Sequence, residues 1–280
     1  MNKFGEFGFR HEVAKRWTLI DFYKANQVKK RIRPDIADLA ISRIIDSGEP
    51  ALIGRLGGTE ARFLGEFVKI SKFKNLQKVL SKIKPNWIKR SKEINTNAGF
   101  YFENLEQVSD FFNLYDKALL DTDLLGAWGT AFAWIEFDYL NNIEELIPVP
   151  MTAPWVATYS NSSSERAWAN SLNGKKVLVI SPFVESIKKQ HKIIEKVFPN
   201  DNFPRFTLKT IKAPQTIGFK PDTKPSWFEN LDQMKQKMLN EDFDVALIAA
   251  GAYSYPLLIM QRKWEKLEFM PEVDYKYFSE

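Results

Sequence analysis

The sequence predicts an α/β fold: a Rossmann-like, mostly parallel sheet flanked by helices, with two lobes that share one cleft. Short apolar runs alternate with amphipathic helical stretches along the chain, a pattern typical of parallel sheets with helical crossovers. The run at 177–180 is continuous and apolar, as expected of a strand that is buried on both faces, and 243–250 is a second strong strand signal. A length of 280 residues is enough for one large α/β domain or two smaller lobes.

Local patterns predict the elements of the first half. Apolar residues at helical spacing predict a helix over 35–47, which Gly48 ends. The apolar run at 51–54 predicts a buried strand, and the glycines after it predict a tight turn into a helix that begins near Glu60. Further along we expect a partly helical stretch at 69–90, broken by Pro85, and an apolar turn at 95–102. A helix at 106–120 and a strand at 124–128 are expected to follow.

The second half is predicted from stronger signals. After the strand at 177–180, Ser181 is expected to be the N-cap and Pro182 the first residue of a helix that runs to about Val197. The remaining elements are strands at 206–211 and 243–250 and helices at 227–239 and 254–263. The region 141–167 is rich in Pro, Ser, Thr and Asn and is interpreted as the seam between lobes. The predicted domains are therefore a basic aromatic arm at 1–34, a first lobe at 35–158 and a second lobe at 159–280.

Composition excludes several classes of function. The chain has no cysteine, which excludes disulfides, thiolate metal sites and a cysteine nucleophile. With only His11 and His191, a metal ion would have to be held by carboxylates, which points to Mg²⁺ or Mn²⁺. No G-x-S-x-G motif supports a serine hydrolase. No apolar run is long enough to cross a membrane and the N-terminus lacks a signal peptide's apolar region, so a cytoplasmic location is expected.

The net charge of +5 is a mild excess. It favours anionic ligands or a membrane surface, and a solvated surface without functional meaning is the open alternative. A solvated arm is expected at 1–34, and contact of this basic, aromatic segment with the inner face of an anionic membrane is the alternative. Nucleic-acid binding is not expected, because the excess is small and no recognition motif is present.

The first candidate site is the turn after the strand at 51–54, since ligands of parallel sheets bind beyond the carboxyl ends of the strands. Arg55 offers a forked donor suited to a pyrophosphate. The backbone N–H groups of Gly57, Gly58 and Thr59 open the next helix, where phosphate binding is favourable. Glu60 offers an oxygen ligand for a divalent ion, or a base. An ordinary β-to-α turn, with Arg55 and Glu60 paired on the surface, is the alternative.

Two later turns offer further groups at the same predicted edge. Ser181 and Ser186 are expected to donate to phosphate or sugar hydroxyls, with ordinary helix capping as the alternative. Gly251 forms a turn after the last strand, and Tyr253 is expected to stack on a base or sugar. The alternative for Tyr253 is a half-buried tyrosine in a β-to-α connection.

Two acids precede the predicted strand at 124–128. Asp121 and Asp123 are two residues apart, and such a pair resembles the metal-binding D-x-D of many glycosyltransferases. Acids at the end of a helix are the alternative. Neither the dinucleotide-binding G-x-G-x-x-G nor the P-loop motif matches the glycine turn at 54–60.

The run ALIGRLGGTEARFL at 51–64 resembles the R-[FY]-G-D-G-E turn of glycosyltransferases with the GT-D fold, which occur in bacterial capsule and surface-glycan gene clusters. The resemblance extends through NAGFYF, the segment 123–128, GKKVLVISPFVESIKKQ, LKTIKAPQT, SWFENLDQMKQKM and FDVALIAAGAYSYPL. Together these motifs cover most of residues 50–258. Their order and spacing are more specific than any single motif.

This resemblance implies transfer of a sugar from a nucleotide-sugar donor to a glycan acceptor in surface polysaccharide synthesis. In the family, a D-x-E carboxylate pair binds Mn²⁺ or Mg²⁺, which neutralises the leaving diphosphate. The glutamate corresponds to Glu60, whereas Gly58 stands in place of the aspartate and cannot bind a metal. Three alternatives follow: Glu60 works alone, Asp123 helps, or Arg55 and backbone donors replace the ion.

The resemblance thus defines a full set of predicted site residues. Glu60 and Asp123 are the expected catalytic residues, with Glu60 also the expected metal ligand. The expected donor-binding residues are Arg55, Gly57, Gly58, Thr59, Ser181, Ser186, Gly251 and Tyr253. Gly58 and the altered C-terminal tail, which lacks the Gly-Gly strand and Trp-bearing end usual in relatives, motivate an alternative: a non-catalytic nucleotide-sugar-binding relative with a degenerate metal site.

Overall fold

The computed structural model describes residues 34–71, 76–127, 135–136, 146–150, 168–197 and 204–259. The predicted arm at 1–34 lies outside the described residues except for Pro34, which begins the first helix. The C-terminal tail beyond residue 259 also lies outside them.

Helices and strands alternate through the described chain. The helices are α1 (Pro34–Ser47), α2 (Gly58–Ser71), α3 (Leu76–Ala98), α4 (Leu105–Leu120), α5 (Val184–His191), α6 (Ile194–Val197) and α7 (Trp227–Leu239). The strands are β1 (Ile53–Gly54), β2 (Leu124–Ala127), β3 (Ile147–Pro150), β4 (Lys176–Ser181), β5 (Thr207–Lys212) and β6 (Val245–Ile248). Short 3₁₀ helices occupy Trp168–Leu172 and Gly251–Tyr253, and residues 254–259 are helical.

The strands form two parallel sheets of three strands each, in the orders β1-β2-β3 and β5-β4-β6. In the first sheet Leu124 pairs with both Ile53 and Ile147. In the second, Val177 pairs with both Leu208 and Val245. The coarse prediction of a mixed α/β fold with parallel strands and flanking helices is therefore confirmed.

Apolar packing joins residues from both sheets. The larger buried cluster contains Leu125 of β2 and Leu178 of β4. Its centre is aromatic: the rings of Phe100 and Phe111 stack with centroids 3.9 Å apart, and Trp227 packs edge-on against Phe100 at 5.0 Å. Since aromatic side chains bury large apolar areas, this cluster contributes a major part of the driving force for folding.

Helix α3 runs without a break through Pro85, so the predicted interruption there is wrong. A proline in a helix interior removes one backbone hydrogen bond and favours a kink. Here the turns that follow it are held by tertiary packing. Trp87 stacks on Phe63 of α2 at 5.3 Å, and Ile94 is fully buried. These contacts stabilise the helix on the C-terminal side of Pro85.

A strand lies inside the region interpreted as a seam between lobes. Strand β3 carries Pro148 and Pro150, which made the segment resemble a loop. It is the edge strand of its sheet and pairs only with β2 among the described strands. An edge strand tolerates proline, because one row of its backbone groups needs no partner in the sheet.

The predicted start of the helix after β4 is also wrong. Ser181 is the last residue of β4, where it pairs with Lys212. Helix α5 begins at Val184, its N-cap position is Phe183, and no side chain caps it. The helix ends at His191, and α6 follows as a separate short helix instead of one helix to Val197. No helix in the described part of the chain is long and apolar enough to span a membrane.

Candidate functional site

Glu60 lies at the carboxyl end of β1, in the first turn of α2. Only 9% of its surface is exposed, so the alternative of a surface pair between Arg55 and Glu60 is wrong. Its carboxylate accepts a hydrogen bond from its own backbone N–H. A Cβ at Gly57 would lie 2.0 Å from Oε2 of Glu60. The carboxylate therefore packs directly against the glycine turn, and Gly57 is needed to leave room for it.

Burial raises the pKa of the Glu60 carboxyl. Its own backbone N–H and the positive charges of Arg55 and Arg62 oppose this rise without cancelling it. A raised pKa makes the charged form of a carboxyl a stronger base. Such a group at the end of a parallel strand is a reasonable candidate for proton transfer.

Tyr115 of α4 connects the end of β1 to the end of β6. Its hydroxyl donates a hydrogen bond of 2.9 Å to the carbonyl oxygen of Ala252. Burial raises the pKa of this hydroxyl, and the nearby charge of Glu60 raises it further. Tyr115 thus lies near both Glu60 and the segment after β6, although Glu60 and Ala252 are 192 positions apart in the sequence.

Tyr255 extends this buried group. Its ring stacks on Tyr115 with centroids 5.7 Å apart, and its hydroxyl lies 3.2 Å from Oγ1 of Thr122. Thr122 donates its own proton to the carbonyl of Ala118 at 2.7 Å, so Tyr255 is the donor in the contact with Thr122. A Cβ at Gly54 would lie 3.0 Å from the ring of Tyr255, which explains why β1 ends in glycine.

The turn after β6 is packed just as closely. Gly251 has φ +59°, and a Cβ there would lie 2.6 Å from the carbonyl oxygen of Ala98 at the end of α3. Tyr253 is 1% exposed, and its ring stacks in parallel on Trp227 at 4.6 Å. The predicted stacking of Tyr253 on a ligand is therefore not supported, because its ring is enclosed in the core.

The two serines predicted to bind a ligand after β4 lie in different environments. Ser181 is buried, and its Oγ accepts a hydrogen bond from the backbone N–H of Phe183 at 3.2 Å. Its carbonyl oxygen accepts from Ala213, directly after β5. Ser186 is exposed on α5. Ser181 thus stabilises the turn, and only Ser186 presents its side chain to solvent.

Asp123 lies at the amino end of the parallel strands of the first sheet, whereas Glu60 lies at their carboxyl end. Its Oδ2 accepts a hydrogen bond of 2.8 Å from the N–H of Leu52, which precedes β1, and its own position precedes β2. Asp121 occupies the C-cap position of α4. The structure therefore does not bring Asp123 to Glu60, and both aspartates have local structural roles.

The side chains near Glu60 do not fit the D-x-E arrangement of a metal site. Gly58 offers no ligand, and Asp123 lies at the other end of the strands. Within the described ranges, no group of three or more histidines and carboxylates could hold a metal ion.

Two cavities lie at opposite ends of the strands. A cavity of about 360 Å³ is bounded by α1 and by the starts of β1 and β6, and none of the predicted site residues lines it. A second, of about 310 Å³, opens at the carboxyl ends of β4 and β5. It is lined by Pro182, Lys212, Ala213, Pro214, Gln215, Asn230, Gln233, Met234 and Lys237.

The sequence analysis missed this second cavity. Lys212-Ala-Pro-Gln215 follows the predicted strand at 206–211, so the rule that places ligands at strand ends applied to this turn as well.

A scan against models of protein families finds no matching family, and searches of curated proteins and of solved structures find no match. The resemblance to GT-D glycosyltransferases therefore remains a prediction from the motifs of the sequence.

Proposed function

We propose that this chain is a GT-D-like glycosyltransferase, which moves a sugar from a nucleotide-sugar donor to a glycan acceptor in surface polysaccharide synthesis. The observation that carries the proposal is the position of Glu60, a buried carboxyl with a raised pKa at the carboxyl end of a parallel strand. Strand ends of this kind are where α/β proteins bind ligands and carry out chemistry.

In the proposed reaction, Arg55 and the backbone N–H groups at 57–59 bind the diphosphate of the donor. An acceptor hydroxyl oxygen forms a bond to the anomeric carbon as the bond from that carbon to the diphosphate oxygen breaks. The hydroxyl proton passes to Oε1 or Oε2 of Glu60, and the nucleoside diphosphate leaves with the bonding electron pair. A raised pKa makes the charged form of Glu60 a stronger base.

We propose that Arg55 and the start of α2 stabilise the negative charge of the leaving diphosphate. A guanidinium pairs with two phosphate oxygens at once, and a helix N-terminus favours an anion. Because the side chains near Glu60 do not fit the D-x-E arrangement, the proposed mechanism uses neither Mn²⁺ nor Mg²⁺. Dependence on either ion is the alternative, and turnover measured with each ion and with a chelator distinguishes the two.

The cleft of the proposed enzyme lies between a first lobe at 35–158 and a second at 159–280. The hydrogen bond from Tyr115 to Ala252 brings residues of both proposed lobes to the same end of the strands as Glu60. We further propose a cytoplasmic protein that meets a lipid-linked acceptor at the inner face of the membrane and does not bind nucleic acid.

The test compares Glu60→Gln with a matched control, Glu66→Gln, because both glutamates are buried on α2. Each variant is first checked to be folded at the assay pH by a cooperative melting transition above the assay temperature. Turnover of a panel of nucleotide sugars, UDP-glucose among them, is then measured with Mn²⁺, with Mg²⁺ and with a chelator. We expect Glu60→Gln to lower kcat by about 10²–10⁴-fold, the usual contribution of a general base, and Glu66→Gln to keep most of the activity. An unchanged rate in Glu60→Gln would remove Glu60 from the mechanism.

A second candidate is a non-catalytic protein that binds nucleotide sugars. Two observations favour it: Gly58 stands in place of the family's aspartate, and the Glu60 carboxylate already bonds to the first turn of its own helix. Calorimetry with the same donor panel separates the two candidates. Tight binding without turnover, with or without Mn²⁺, would favour the binding protein over the enzyme.

A further inference from the structure

We propose that the cavity at the carboxyl ends of β4 and β5 is a second ligand site, which binds the phosphoryl group of a small anionic molecule through Lys212 and Lys237. It is separate from the turn at 55–60 and lies at the ends of other strands. The inference therefore does not depend on sugar transfer.

One wall of the cavity is a single face of α7. Asn230, Gln233, Met234 and Lys237 all line it, and their spacing of three, four and seven residues places them in one row along a helix. Helix α7 is well fixed, because Ser226 and Glu229 form a reciprocal capping box at its start. The positions of these four side chains are therefore set by a rigid element.

The opposite wall is the turn that follows β5. Lys212 is the last residue of the strand, and Ala213, Pro214 and Gln215 continue from it along the cavity. The N–H of Ala213 is bonded to the carbonyl of Ser181 at 3.1 Å, which holds the turn against β4. Both lysines therefore come from ordered backbone.

The charge of the lining is entirely positive. Lys212 and Lys237 are its two ionised residues, Gln215, Asn230 and Gln233 supply amides, and no carboxylate lines the cavity. In the described chain, neither ammonium group forms an ion pair, whereas Lys209 pairs with Glu241 at 3.2 Å nearby. Two uncompensated ammonium groups at one opening attract a group with two negative charges.

The floor of the cavity is fixed and apolar. Met234 and Ala213 are buried, and the side-chain amide of Asn230 donates to the hydroxyl of Tyr101 at 3.1 Å. A site with an apolar base, amides and cations at its rim has the composition of a small-molecule site. Lysine provides point charges for phosphate oxygens, and the exposed amides of Gln215 and Gln233 provide donors for their remaining lone pairs. A phosphoryl or diphosphoryl group matches this set.

The first test measures pyrophosphate binding by calorimetry in the full chain. Lys212→Ala/Lys237→Ala is compared with Lys188→Ala/Lys235→Ala, which removes the same charge from two lysines outside the cavity that pair with Glu185 and Asp232. We expect the cavity pair to weaken binding by at least about tenfold, the loss expected from one or two charge-assisted hydrogen bonds. The control pair should bind as the wild type does.

Three outcomes would overturn the proposal: no binding of pyrophosphate to the wild type, equal weakening in both double variants, or weakening only in Arg55→Ala. The last would place the phosphate at the turn after β1 and would leave the proposed function intact. Parallel titrations with UDP and with glucose 1-phosphate identify the source of the phosphoryl group, since a nucleotide site prefers the first and a sugar-phosphate site the second.

A second test needs no variant. Acetylation of lysines in the wild type is followed by mass spectrometry with and without pyrophosphate. We expect Lys212 and Lys237 to be protected by the ligand, and Lys188 and Lys235 to be modified at the same rate in both samples. Equal modification of all four lysines would contradict the proposal even if some other part of the chain bound pyrophosphate.

Discussion

The ends of β1 and β6 and the ends of β4 and β5 are both carboxyl ends of parallel strands, but they are built differently. At the first, which we call the closed end, side chains and backbone are closely packed: Glu60 packs on Gly57, Tyr115 bonds to Ala252, and a Cβ at Gly251 would meet the end of α3. At the second, the open end, Lys212 and Lys237 are exposed and border a cavity of about 310 Å³.

The difference separates two kinds of functional group. Burial raises the pKa of Glu60, so its proposed role in proton transfer depends on the close packing at the closed end. Lysines that bind an anion must stay charged, and they do so where water reaches them. Substitutions at the closed end should therefore change stability, and those at the open end should change binding without changing stability.

The largest expected effect is that of Gly251→Ala. The new Cβ would meet the carbonyl oxygen of Ala98 at 2.6 Å, at a positive φ of +59°. We expect a loss of about 3 kcal/mol in the free energy of unfolding, from left-handed strain of about 1–2 kcal/mol and from overpacking. Gly174→Ala is the control, because Gly174 has φ +76° and nothing within 4 Å of its Cβ position. Equal losses in urea denaturation would mean that the turn after β6 is not closely packed.

The next largest effect is expected of Tyr115→Phe. It removes the donor to the buried carbonyl of Ala252, and an unpaired buried group costs about 1–3 kcal/mol. The ring and its stacking on Tyr255 are retained, so urea denaturation measures the hydrogen bond itself. Unchanged stability would show that this bond does not hold the closed end together.

Glu60 should make stability depend on pH. The pKa of Glu60 is raised in the folded chain above its ordinary value of 4.5, so the folded state holds this proton more tightly than the unfolded state does. Stability should fall as the pH rises from about the unfolded pKa through the folded one. In Glu60→Gln this contribution is absent, and the variant should gain stability relative to the wild type over that range. A constant difference in melting temperature from pH 4 to pH 8 would contradict the raised pKa.

Asp123→Ala tests the amino end of the strands of the first sheet. The substitution removes the acceptor for the N–H of Leu52 and should cost about 1 kcal/mol of stability. Turnover of nucleotide sugars, measured below the melting temperature, should stay at the wild-type level because Asp123 lies away from Glu60. A loss of activity as large as that of Glu60→Gln would restore Asp123 as a catalytic residue.

The smallest effect on stability is expected at the open end. Lys212→Ala/Lys237→Ala should change the free energy of unfolding by less than about 0.5 kcal/mol per residue, as exposed positions usually do. Urea denaturation without ligand measures this. A loss of several kcal/mol would mean that the lysines support the fold and that the two ends do not differ in the way described.

Local signals in the sequence were enough for much of the fold. Helix α7 has the bounds that were predicted for it, and Ser226 and Glu229 form a capping box at its start, a signal that acts within four residues. Gly48, with φ +71°, ends α1 as its position predicts. The strands predicted at 177–180 and 206–211 match β4 and β5 to within one residue at each end.

What the sequence could not predict depends on contacts between distant residues. Helix α3 continues past Pro85 because Trp87 packs on Phe63, which belongs to another helix. The burial of Glu60 depends on neighbours such as Tyr115, 55 positions away. Asp123 was grouped with Glu60 because both residues are acids. In the structure Asp123 lies beside the start of the two-residue strand β1, whereas Glu60 lies beyond its end. Tyr253 was expected to stack on a ligand, but its ring stacks on Trp227 in the core.

The central claim is that Glu60 transfers a proton during sugar transfer at the closed end. Its most direct test is the pH dependence of kcat/KM for nucleotide-sugar turnover, measured for the wild type and for Glu60→Gln. We predict that the wild-type rate rises with pH through an apparent pKa above 4.5, and that Glu60→Gln loses both the rate and this rise. Turnover in Glu60→Gln with the rate and pH profile of the wild type would contradict the account.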